Sequence, residues 1–248
     1  GDVLMGAVED RALAKRRDLQ LVFQDPASAL NPQMRVHAIV EEPLLVHERN
    51  ATAPERRSRV VAVLEKVGLE KKYLRRFPHE LSGGQAQRVA IARALILEPK
   101  VLICDEAVAA LDGSVRAQVL DLLREVQQET GLSIIFISHD LAVVRSISHR
   151  VLVMYMGQLV EMAENAKLFG SPRHPYTRAL LDSVPVPDPV VAPKRAPLRG
   201  EVGSLVNPPP GCAFHPRCPI AEAICSNKAP TLVDRAGTRV ACHKATAI

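Results

Sequence analysis

The sequence predicts an α/β fold: a parallel sheet with crossover helices, followed by a smaller proline-rich region. Two short apolar, largely β-branched runs, Lys100 to Asp105 and Ser133 to Ser138, have the character of buried parallel strands. Between them, Ser114 to Thr130 puts Val115, Val119, Leu122, Leu123 and Val126 on one helical face. Strand, helix, strand in that order implies a right-handed crossover. Thirteen of the 19 prolines fall between Pro172 and Pro230, so the regular α/β pattern gives way near residue 165.

The remaining elements follow from local chemistry. Arg56 to Gly68 carries Val60, Val63, Leu64 and Val67 at helical spacing. Gly83 to Leu97 is alanine-rich and free of internal breakers, so a helix is expected there. Ser114 is the expected N-cap of the crossover helix. Val151 to Tyr155 and Gln158 to Glu161 flank Met156-Gly157, which predicts a hairpin. Pro185 to Pro210 reads as a connector, and no internal repeat is present.

At 248 residues and 47% apolar content the chain can bury one large core or two small ones. It contains no run of 18 apolar residues, the length that spans a bilayer. Residues 1–170 carry 22 basic and 22 acidic side chains, and residues 171–248 carry 10 and 5, so the net charge of +5 lies in the tail. That excess, with 3% aromatic residues to stack on bases, does not support a nucleic-acid partner. The opening Gly1-Asp2-Val3-Leu4 is neither a signal peptide nor a start methionine, and a trimmed chain or fragment is expected.

Three motifs carry the chemistry. Leu81-Ser82-Gly83-Gly84-Gln85 opens the alanine-rich helix. Unpaired N–H groups at the positive end of a helix dipole form an anion site, although the same residues also make an ordinary cap. Val101-Leu102-Ile103-Cys104-Asp105-Glu106 ends an apolar strand in two carboxylates, at the edge of a parallel sheet where ligands bind. One carboxylate there suits Mg²⁺, commonly through water, and the next suits a general base, with a plain acidic helix cap as the simpler reading. Ile134-Ile135-Phe136-Ile137-Ser138-His139-Asp140 delivers an imidazole to the same edge, where it could bond a phosphate or the attacking water. A lone histidine after a strand is otherwise structural.

Taken in this order, the three resemble the signature, Walker B and H-loop motifs of ATP-binding-cassette (ABC) ATPases. Gln24 in Leu21-Val22-Phe23-Gln24-Asp25-Pro26 matches the Q-loop, and Ala110-Leu111-Asp112 the D-loop. The resemblance runs from about Gly1 to Glu164. It implies an ABC nucleotide-binding domain over 1–165, an incomplete RecA-like core with a helical subdomain at about 30–97. It also implies that Asp105 helps hold Mg²⁺, that Glu106 orients or deprotonates water, and that His139 contacts the γ-phosphate of ATP. Gln24 would couple nucleotide to Mg²⁺ and to membrane subunits. Ser82, Gly83, Gly84, Gln85 and Asp112 would serve ATP at an interface with an opposite subunit. Two departures stand out. No Gly-x-x-x-x-Gly-Lys-Ser/Thr loop occurs in the 248 residues, so they are expected to bind ATP poorly and not to hydrolyse it. Ala107-Val108-Ala109 replaces the Pro-Thr-Ser of many members.

The tail narrows the family. Arg173-His174-Pro175-Tyr176-Thr177-Arg178-Ala179-Leu180-Leu181 resembles the C-terminal extension of oligopeptide, dipeptide and nickel importer ATPases, and also reads as a short helix entered through His-Pro. That extension is expected over 166–248. Cys212, Cys218, Cys225 and Cys242 cluster within it, while Cys104 lies inside a strand. Four thiolates suit zinc or an iron–sulfur cluster, and free or redox-paired thiols are the third reading. The segment Cys212-Ala213-Phe214-His215-Pro216-Arg217-Cys218-Pro219 resembles importer ATPases that carry a [4Fe–4S] cluster. His215 or His243 could replace one cysteine, or each could be an ordinary surface histidine.

The resemblance implies a motor on the cytoplasmic face of the membrane, bound to it peripherally. Its partners would be a second ABC ATPase subunit, self or paralogue, two permease subunits and, indirectly, an extracytoplasmic substrate-binding protein. Two other readings share the residues: an ABC ATPase outside transport, and a truncated inactive or metal-binding module.

Overall fold

The computed structural model describes residues 15–183, 204 and 206–245, so most of the proline-rich connector lies outside the described residues. The chain divides into two compact units, Gly1–Asp140 and Leu141–Ile248.

In the first unit the chain runs through β1 (Leu19–Val22), the single turn α1 (Pro26–Ala29), α2 (Val36–His47) and α3 (Ala53–Lys66). Two 3₁₀ turns, Lys71–Arg75 and Pro78–Glu80, lead into α4 (Gly83–Leu95), followed by β2 (Val101–Asp105), α5 (Gly113–Thr130) and β3 (Ser133–Ile137). The three strands are parallel in the order β1-β2-β3, with Leu19 beside Val101 and Asp105 beside Ile137. All three therefore end at one edge of the sheet. The crossover from β2 through α5 to β3 is the one the sequence predicted.

The helices between β1 and β2 pack on one another through the buried Ile39, Val40, Leu44, Val60, Leu64, Val89 and Ile91. α3 starts where Thr52 Oγ1 accepts from Glu55 N–H and the Glu55 carboxylate accepts from Thr52 N–H, a reciprocal cap. α5 stops at Gly131, whose φ of 69° only glycine adopts cheaply.

Two expectations need correction. Ser114 is not the N-cap of α5: the extended residue is Asp112, the helix begins at Gly113, and Ser114 falls inside the first turn. Nor are the strands covered on both faces among the described residues. Val22, Leu102 and Cys104 are buried, whereas Ile135 and Ile137 are 52% and 47% exposed. The alternation of strand side chains puts these two sets on opposite faces.

The second unit opens with α6 (Leu141–Ile147) and the antiparallel hairpin of β4 (Arg150–Tyr155) and β5 (Gln158–Glu164). Its two-residue turn, Met156-Gly157, has φ of 46° and 73°, as a primed turn requires. Then come α7 (Asn165–Gly170), α8 (Pro175–Asp182), a 3₁₀ turn at His215–Arg217, α9 (Ala223–Asn227), β6 (Val233–Arg235) and β7 (Thr238–Val240). These strands form one sheet in the order β4-β5-β7-β6, with Glu161 opposite Val240. The second compact unit begins at Leu141, and its sheet pairs strands from both sides of residue 165. Its core gathers Val151, Val153, Val160 and Leu168 around three aromatic rings. Phe214 lies 5.2 Å from Tyr155, edge to face, and 5.4 Å from Tyr176.

α8 is anchored by buried polar groups. The Glu161 carboxylate, fully buried, accepts the backbone N–H groups of Arg173 (2.7 Å) and His174 (2.9 Å). His174 caps the helix, its Nδ1 accepting from Tyr176 N–H at 3.1 Å. Burial pushes the His174 pKa down to about 4, with a bond to the Ala241 backbone opposing the shift. An accepting Nδ1 requires the neutral ring.

The pH dependence follows. Between about 4 and the ordinary 6.5, the unfolded chain holds a proton that the folded chain refuses. Stability from the neutral ring is complete above pH 6.5 and is lost as pH falls through 4, at up to about 1.4 kcal/mol per pH unit. Thermal melts between those pH values are expected to show this slope, and His174→Asn, which keeps a cap acceptor, is expected to flatten it. An unchanged slope in the variant would assign the titration elsewhere.

Candidate nucleotide site and cysteine pocket

Three parallel strands ending together bring three side chains to one place. Gln24 lies two residues past β1, Glu106 follows β2, and His139 stands two residues past β3. Gln24 Nε2 donates to Glu106 Oε2 at 2.7 Å, and His139 Nδ1 lies 2.9 Å from Glu106 Oε1. One carboxylate is thus held by an amide on one oxygen and an imidazole on the other. The Glu106 side chain is 25% exposed and the His139 side chain 74%, so the set opens to solvent.

The backbone at Glu106 is unusual. Its φ of 47° lies in the left-handed region, which costs a non-glycine residue about 1–3 kcal/mol. Its N–H donates to Ile137 O at 3.0 Å, extending the β2–β3 ladder one residue past Asp105. The positive φ of Glu106 itself is what takes the backbone off the strand line. Asp105, the last residue of β2, is half-buried.

The Ser82–Gln85 turn is built as a reciprocal cap on α4. Ser82 Oγ accepts from Gln85 N–H (3.3 Å), and Gln85 Oε1 accepts from Ser82 N–H (3.0 Å). Gln85 Nε2 also donates to Tyr73 Oη at 3.0 Å. The Gln85 amide is therefore engaged at both ends in holding the turn. The helix geometry leaves the Gly83 and Gly84 N–H groups without intrahelical acceptors, the donors an anion would meet. Gly84 has a packing role too, since a Cβ there would collide with Cγ1 of Val115 on α5. Asp112 is exposed at the N-cap position of α5.

Gln24, Glu106 and His139 thus form one bonded set, and the Ser82–Gln85 turn is a separate one tied to Tyr73. Tyr73 and Arg116 escaped the sequence reading because no motif marks them, and Val115 was read only as part of the apolar face of α5. Arg116 does break the rule that first helical turns favour acidic residues, which was a usable signal.

In the second unit Cys212, Cys218, Cys225 and Cys242 line one small cavity, together with His174, Phe214 and His243. All four thiols are free. Burial pushes Cys218 up to about 11 and raises Cys212 and Cys242, so these three are neutral at physiological pH. His215 Nδ1 bonds Cys212 O and His243 Nε2 bonds Lys228 O, both at 2.9 Å, so each ring has a structural use. Among the described residues, no three His, Cys, Asp or Glu side chains gather closely enough to hold a metal ion, Asp105 included. Cys104 is a separate case, fully buried in β2 with its pKa pushed up to about 12 by that burial.

Residues 4–109 match the ABC transporter family, and residues 160–225 match the oligopeptide/dipeptide transporter C-terminal region. A dimeric post-hydrolysis structure of the ATP-binding cassette MJ0796 bound to ADP and Pi superimposes with a TM-score of 0.57 at 32% identity. It covers 64% of this chain and 68% of that one. The fold is thus that of an ABC ATPase nucleotide-binding domain. The oligopeptide transport ATP-binding protein OppF of Escherichia coli (strain K12) is 50% identical over 246 residues, covering 98% of this chain and 74% of the relative. The probable peptide ABC transporter ATP-binding protein y4tS of Sinorhizobium fredii (strain NBRC 101917 / NGR234) is 51% identical, covering 98% and 69%. The chain belongs to the ATP-binding subunits of oligopeptide and dipeptide ABC transporters.

The cysteine cavity depends on Gly211. Its φ is 69°, and a Cβ there would collide with the Cys225 carbonyl, which itself accepts from Cys212 N–H at 2.8 Å. Gly211→Ala is expected to cost at least about 1–3 kcal/mol from the backbone alone. It should also expose Cys225, raising its rate of modification by a thiol reagent. Unchanged modification kinetics would show that the loop absorbs the methyl group.

Proposed function

We propose that this chain is the energy-coupling ATPase subunit of an ABC importer for dipeptides or oligopeptides. The observation that carries the reading is the Glu106 carboxylate held between Gln24 and His139 at the carboxyl edge of the parallel sheet. Phosphoryl transfer to water is chiefly positioning and charge stabilisation, and these residue types supply both. Glu106 orients or deprotonates the attacking water, and His139 contacts the γ-phosphate. Gln24 reports the nucleotide to the membrane subunits. With both Glu106 oxygens engaged by side chains, one contact must open before the carboxylate can take a water proton. Gln24 is the group that leaves, since the phosphates and their metal offer it another partner.

Asp105 brings a hard carboxylate oxygen to the same strand end, the donor type Mg²⁺ prefers. The ion would neutralise charge developing on the phosphates. Ser82, Gly83, Gly84 and Gln85 present the start of α4 to ATP held by the opposite subunit, in a head-to-tail pair with Asp112 at the shared interface. Peptide specificity rests with two permease subunits and an extracytoplasmic binding protein. The subunit attaches to the permease at the cytoplasmic face, and no described helix is long and apolar enough to cross a membrane.

The four-cysteine cavity supports a second element, a [4Fe–4S] cluster held by Cys212, Cys218, Cys225 and Cys242. The donor set is all sulfur, which iron–sulfur clusters and zinc both accept. A mononuclear zinc site draws four sulfurs to about 2.3 Å from one point, whereas a cluster spreads them over four irons. Four cysteines line one cavity, and the resemblance of Cys212 to Pro219 to cluster-carrying importer ATPases favours the cluster over zinc. When bound, the cluster would supply structural cross-linking of the extension, and its charge would hold the thiols ionised.

Two measurements test these readings. The importer assembled with its ATPase and permease partners is expected to hydrolyse ATP. Glu106→Gln should slow turnover by about 10²–10⁴-fold, the usual range for a lost general base, with ATP binding retained. An assembled complex without hydrolysis would remove the motor assignment. Anaerobically purified chain is expected to be coloured, absorbing visible light through its thiolate-to-iron bonds. Colourless protein with one equivalent of zinc would replace the cluster by a zinc site.

A further inference from the structure

One guanidinium in the first unit bridges two loops that the sequence motifs treat as separate. Arg116 closes the first turn of α5, its N–H bonded to Asp112 O at 2.8 Å. Its Nη2 donates to Leu111 O at 3.1 Å, within Ala110-Leu111-Asp112. Its Nη1 donates to Asp140 Oδ2, also at 3.1 Å, and Asp140 is the residue after His139. Asp140 is anchored in turn, its N–H donating to Ser138 Oγ at 3.0 Å. A single planar fork thus ties the turn bearing Asp112 to the turn bearing His139.

Ordinary stability does not account for this arrangement. A cation in the first turn of a helix faces the positive end of the dipole and is disfavoured. The ion pair is about one-third exposed on each side, 32% and 36%, where such pairs contribute little. The Arg116 Nε is also buried without an acceptor, a further cost. What Arg116 does uniquely is geometric. Its rigid fork reaches two acceptors in different loops at once, which the point charge of a lysine cannot reproduce.

We propose that Arg116 is a positioning residue that locks the Asp112 turn to the His139 turn, so that the two loops move as one body. Its guanidinium bonds Asp140 and Leu111 and acts through them. For catalysis this rests on the ATPase reading above; the coupling of the loops does not. A partner subunit that displaces Asp112 then shifts His139 with it.

Amide hydrogen exchange on the chain itself tests the lock without any ATPase activity. Arg116→Lys is expected to speed exchange about tenfold at residues 110–112 and 138–140 together, while the α2–α4 helices stay unchanged. Asp140→Asn is expected to loosen both loops as well, and the double variant to exceed neither single variant, because both remove the same link. Acceleration in one loop only, additive effects, or exchange equal to the original chain would overturn the proposal. In the assembled importer, Arg116→Lys should lower kcat about tenfold with the KM for ATP within about twofold and the melting temperature nearly unchanged. A lowered melting temperature with normal kcat would mark a merely structural role. Loss of hydrolysis in the unsubstituted assembly would count against the motor assignment alone, since the exchange result decides the lock.

Discussion

The backbone hydrogen bond from Glu106 N–H to Ile137 O organises the first unit's site. It carries the β2–β3 ladder one residue beyond the regular strand, up to Glu106, whose own φ is positive. A carboxylate continuing along β2 would follow the alternation of the strand. Swung off that line, it meets an amide arriving from β1 and an imidazole arriving from β3. The local strain is sustained because the sheet on either side over-determines it. Parallel topology is the deeper cause, since only parallel strands end at a common edge and pool the residues that follow them.

Much of this was legible in the sequence because the motifs are contiguous and the strands apolar. The β2–α5–β3 crossover, the hairpin at Met156-Gly157 and the helix after Ser82 appear where local pattern placed them. What was not legible depended on residues distant in sequence. The Tyr73 hydroxyl bonds Gln85, and the Val115 side chain occupies the space a Cβ on Gly84 would need. Neither contact has a periodic signal. The half-exposed face of the three-stranded sheet also resisted local reading, since an apolar run looks alike whether one face or both are covered.

The second unit shows the same limit on a larger scale. Proline density marks where regular α/β structure stops, and it suggested a boundary near residue 165. Strand pairing ignores that marker, because β7 returns from the far end of the chain to lie against β5. Long-range pairing of this kind is set by edge hydrogen bonds and a shared aromatic core. Tyr155, Tyr176 and Phe214 meet in that core from three segments well separated in sequence. Glu161 shows how tightly the parts are joined: it sits on β5, is fully buried, and anchors the two residues that lead into a helix beyond residue 165.

The β5–β7 pairing also bears on solubility. Ala241 N–H donates to Val160 O at 2.9 Å, and the ladder continues through Glu161 and Met162. These bonds occupy the outer row of β5 backbone groups, which would otherwise be an open template for a strand from another copy. The carboxyl-terminal extension thus covers the edge of β5 and moves the open edge of the sheet to the three-residue β6, too short to template much pairing.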